Sequence, residues 1–113
     1  MLQELQELTL RTISGMSAGM NKDWTHEVVV KVMNNNSGFQ STLVCPCTLE
    51  QGQKLVAFVE SFITHGELWI APEDAHLIKI VERLLSPFGS FLVYSPEEHS
   101  YDDWFIEFDE VYH

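Results

Sequence analysis

Cys45-Pro46-Cys47 places two thiols two residues apart, and the chain also carries His26, His65, His76, His99 and His113 as possible metal or acid/base groups. On a strand both thiols would share one face, with Cα atoms about 7 Å apart, where a soft metal shared with His65 or His76 is conceivable. Structural zinc sites space their cysteines more widely, and a thioredoxin-like site needs two intervening residues, so the pair reads as small buried sheet residues with reduced thiols. No two histidines fall three or four apart, which leaves no helix with a two-histidine metal face. The expectation is no metal and no cofactor.

Other chemistries lack their residues. The six glycines match neither the dinucleotide nor the P-loop spacing, and Gly89-Ser90 lacks the second glycine of a nucleophile elbow. The carboxylate pairs Glu73-Asp74, Glu97-Glu98 and Asp102-Asp103 are adjacent in sequence, so in regular structure they point apart rather than converge as acid and base. The chain is therefore expected not to be an enzyme.

Charge points to a binding role. With 17 acids against 6 bases the net charge is −11, which repels nucleic-acid phosphates and anionic membranes and attracts basic partners. Glu97, Glu98, Asp102, Asp103, Glu107, Asp109 and Glu110 form a run of seven acids without a base, interleaved with Tyr101, Trp104, Phe105, Ile106 and Phe108. If the end of this run is a strand, Trp104, Ile106 and Phe108 face the core, and Asp103, Phe105, Glu107 and Asp109 share the outer face. An acidic ridge with Phe105 or Tyr101 as anchor could occupy a cleft built to hold phosphates; a solvated strand face whose charges deter aggregation would look the same in sequence.

The elements that must position these residues follow from periodicity. Leu2, Leu5, Leu8 or Leu10, Ile13 and Met16 recur every three to four residues, which predicts an amphipathic helix over 2–14, followed by a connector over 15–24. From His26 the period becomes two, with Val28, Val30 and Val32 on one face. Asn34 to Gly38 is a turn cluster, and the β-rich run from Phe39 to Cys47 closes a hairpin. Thr48-Leu49-Glu50-Gln51 has the form of a capping box, and Leu55, Phe58, Val59, Phe62 and Ile63 carry a helical stripe that Gly66 ends. Glu67 to Ala71 reads as a strand. Pro72, Glu73 and Asp74 start a second helix running to about Leu85, with Leu77, Ile80, Val81, Leu84 and Leu85 on its apolar face. Ser90 to Tyr94 is a strand, 95–101 a loop, and Trp104 to Phe108 the last strand.

The expectation is one α+β domain over 1–113, in two layers. It comprises a mainly antiparallel or mixed sheet of about five strands and two to three helices, in the order α-β-β-α-β-α-β-β. An apolar fraction of 45% with a charged fraction of 20% supports a folded core rather than disorder. No run of about 18 apolar residues and no secretory pattern appear, so a cytoplasmic location without membrane contact is expected. In general character this fits an acidic inhibitor or immunity-type protein, a nucleic-acid mimic of the antitoxin or anti-defence kind. It would occlude the basic surface of a nuclease, toxin or other nucleic-acid-handling protein as monomer or homodimer, without touching nucleic acid directly. The alternative is a secretion-chaperone-like or adaptor module that binds an apolar segment through Val29, Met33 and the N-terminal helix.

Overall fold

The computed structural model describes residues 3–13, 24–99 and 102–109. Six strands and three helices are found among them: β1 (Gln3–Thr12), β2 (His26–Asn34), β3 (Gln40–Cys47), α1 (Leu49–His65), β4 (Glu67–Ile70), α2 (Ile78–Leu85), β5 (Phe91–Tyr94), the single turn α3 (Pro96–His99) and β6 (Trp104–Phe108). The strands form two antiparallel sheets, sheet A in the order β1-β2-β3 and sheet B in the order β4-β6-β5. This corrects the expected single sheet. The α+β class stands, but the order is β-β-β-α-β-α-β-α-β.

The largest correction is the first element, a strand where a helix was expected. Its leucines follow a spacing of three because a register shift between Leu5 and Glu7 absorbs one residue of β1. With that irregularity, Leu5, Leu8 and Leu10 stand opposite Val32, Val30 and Val28, so all three leucines reach the core face. The connector expected over 15–24 lies outside the described residues except for Trp24.

The remaining elements form where local chemistry dictates. The Asn34 side chain accepts from the amides of Asn36 and Ser37, and Gly38 sits at φ 72°, which turns β2 into β3. Thr48 accepts from the Gln51 amide while the Gln51 side chain accepts from the Thr48 amide, completing the capping box. Gly66, at φ 76°, closes α1 in the left-handed conformation. Pro72 opens a 3-10 turn over Pro72–Leu77 before the α-helical part of the second helix begins at Ile78. Asp74 bonds Lys54 of α1 at 2.6 Å. The expected loop over 95–101 contains α3, capped by Ser95, whose hydroxyl accepts from the Glu98 amide.

One core joins the two sheets through α1. Gly52, Leu55, Val59 and Phe62 form its buried stripe. At Gly52 the helix lies so close to sheet A that a Cβ would stand 2.3 Å from Leu10 Cδ1 and 3.0 Å from Cys47 Sγ. One end of the helix thus needs glycine to approach. Towards the other end, the Phe62 ring packs on Phe91 and Phe108 of sheet B at centroid distances of 6.4 and 4.4 Å. Val28, Val30 and Val32 from sheet A, Leu68, Ile70 and Ile106 from sheet B, and Leu77, Val81, Leu84 and Leu85 from the second helix complete this cluster.

Candidate functional site

Alternation sets the two faces of sheet B. Leu68, Ile70, Ile106, Phe91 and Val93 turn inward, which sends Glu67 and Trp69 of β4, Phe105 and Glu107 of β6, and Leu92 and Tyr94 of β5 outward. Register then arranges the outward residues in two rows across the sheet. In one, Trp69 and Tyr94 flank Phe105, with ring centroids 4.4 and 5.7 Å from it. In the other, Glu67 and Leu92 flank Glu107. The Tyr94 hydroxyl donates to Glu107 Oε1 at 3.0 Å and ties the two rows together.

The outward orientation expected for Phe105 and Glu107 is found, yet Phe105 is not an accessible anchor: its neighbours leave it 8% exposed. On this face the exposed aromatic is Trp69, at 45%, accompanied by Leu92 at 36%. Sequence reasoning missed both, together with Glu67 and Tyr94. The alternation of Leu68 and Ile70 around Trp69 was the available signal for the tryptophan. Phe91-Leu92-Val93-Tyr94 is apolar throughout, so its faces cannot be separated by pattern.

Of the other acids, Glu97 and Glu98 stand on a separate element. Glu97 and Glu98 are exposed on α3, beside a cleft shared with Pro72, Ala75, Val93 and Trp104. Asp102 and Asp103 lie in the bend that leads into β6, and the Asp109 amide donates to the Ser90 carbonyl at 3.0 Å beyond its end. Tyr101 and Glu110 lie outside the described residues. The seven-acid run is thus carried by several elements, with Glu97 and Glu98 on a helical turn, Asp102 and Asp103 in a bend, and Glu107 on the strand face.

The outer face of sheet A has a different character. Glu7 faces Lys31 and Arg11 faces Glu27 across β1 and β2, paired at 3.8 and 2.6 Å. These four charges neutralise one another, while exposed Glu4, opposite Met33, adds a further carboxylate to that face. Val29, expected as exposed apolar area, is only 3% exposed there.

Cys45 and Cys47 are buried on the core face of β3, opposite Val28 and His26. Burial pushes both thiols above their ordinary value of 9.0, opposed at Cys45 by the nearby Arg83 charge and reinforced at Cys47 by Cys45 and Glu27. Such thiols are poor nucleophiles. Among the described residues no group of three or more His, Cys, Asp or Glu is placed to hold a metal, and no helix is long and apolar enough to cross a membrane. The chain matches no protein-family model, no curated protein and no solved structure.

Proposed function

We propose that this chain is a protein-interaction domain, an acidic inhibitor or immunity-type protein that occludes the basic surface of a nuclease, toxin or other nucleic-acid-handling protein. The observation that carries this reading is the contrast between the two outer sheet faces. Sheet A matches two of its carboxylates, Glu7 and Glu27, to its own bases, whereas sheet B presents Glu67 and Glu107 beside exposed Trp69 and Leu92. An aromatic beside carboxylates combines anchor area with charge-assisted hydrogen bonding, the pairing that desolvates well against arginine- and lysine-lined clefts. The net charge of −11 steers such a partner towards the domain at low salt. The adaptor alternative keeps only Met33 of its candidate area, since Val29 is buried and residues 3–12 form a strand of the sheet.

Affinity capture with wild-type bait and with a Glu67→Lys/Glu107→Lys bait tests the proposal. The expected result is a basic nucleic-acid-handling protein held at about 50 mM salt, released at about 500 mM by screening, and absent from the variant. Once purified, that protein should lose nucleic-acid binding when the domain is added. Identical partners on both baits, or partners indifferent to salt, would contradict it.

A further inference from the structure

The Glu67–Glu107–Leu92 row borders a shallow groove of about 590 Å³, whose walls include Tyr94, His65 and Phe108. Within it two carboxylates face each other in direct register across β4 and β6. Like charges directly opposite on paired strands are unfavourable, and a cation placed between them removes that repulsion. No lysine or arginine among the described residues lines this groove. Arg11, Lys31 and Lys54 are engaged by Glu27, Glu7 and Asp74, and Lys79 and Arg83 line a separate cleft with Trp24 and Pro46.

Resting on the interaction reading above, we infer that this groove receives an arginine side chain of the partner, its guanidinium reaching Glu67 and Glu107 in the groove that Tyr94 and Leu92 also line. Three features favour guanidinium over ammonium. The groove offers carboxylates on two adjacent strands, which a forked set of donors serves together and a point charge does not. The Tyr94 hydroxyl occupies Glu107 Oε1 and thereby orients the carboxylate, leaving Oε2 as the free acceptor. The wall is aromatic and aliphatic, a surface on which the weakly hydrated, planar guanidinium stacks while an ammonium keeps its water.

Calorimetric titration of the full chain with capped triarginine and trilysine peptides at about 50 mM salt reads the preference directly. Triarginine should bind about tenfold more tightly, the difference expected from one stacked, forked contact. Glu107→Gln keeps the side-chain shape and the acceptor for Tyr94, so it should fold as wild type by circular dichroism and bind the two peptides alike. Glu60→Gln, an exposed acid on α1, should retain the preference. Equal affinity for the two peptides in the wild type, or a preference that survives Glu107→Gln, overturns the arginine assignment. If the preference is missing while the wild-type bait still captures a salt-sensitive basic partner and the double-lysine bait does not, the interaction reading stands without it. Arginine preference with no such capture removes the interaction reading instead.

Discussion

At the scale of single residues, burial decides which groups take part in chemistry. Cys45 and Cys47 look reactive in sequence because of their spacing, yet both contribute to the core and both are held in the thiol form. A raised thiol pKa means that the folded chain keeps its protons where the unfolded chain loses them. The stabilisation is complete below the ordinary value of 9.0 and fades as pH rises through the folded values. Lys54, raised above 10.5 by its hydrogen bond to Asp74, loses its contribution only at still higher pH. Denaturant midpoints should therefore fall between about pH 8 and about pH 10, and fall less in Cys45→Ala/Cys47→Ala. A midpoint that rises over this interval would refute the burial argument. The same logic separates Phe105 from Trp69. Sequence alternation correctly turned Phe105 outward, but exposure depends on neighbours supplied by two other strands, which no local pattern reveals.

Among the elements, the hairpin, the capping box of α1 and its glycine stop were legible because each is specified by a few adjacent residues: Asn34 to Gly38, Thr48 with Gln51, and Gly66. The N-terminal strand was not, because the register shift after Leu5 gives its leucines a helix-like spacing. Tertiary pairing with Val28, Val30 and Val32 overrides that local signal. Strand order in sheet B was equally hidden, since β6 inserts between β4 and β5 by pairing that is remote in sequence. The junction of β1 with α1 makes a sharp prediction. Because a Cβ at Gly52 would meet Leu10 and Cys47, Gly52→Val should destabilise the domain by about 1–3 kcal/mol, the usual cost of overpacking. Denaturant titration measures it, and an unchanged midpoint would show that β1 does not seat against the helix.

At the scale of the whole molecule, the proposed binding role rests on net charge and on the outer face of sheet B. The sequence made the acidity plain and pointed to Glu107. Glu67, Trp69, Leu92 and Tyr94 emerge only when sheet B is assembled, while Glu97 and Glu98 stand on α3. The interaction reading thus widens from the outer face of β6 to the face of a three-stranded sheet. The most direct test of that claim is a two-dimensional amide NMR titration with a basic peptide containing both arginine and lysine, at about 50 mM salt and again at about 500 mM. Shifts should concentrate at residues 65–69, 92–94 and 105–108 and vanish at the higher salt. Shifts spread evenly over all acidic segments, or centred on sheet A, would contradict it.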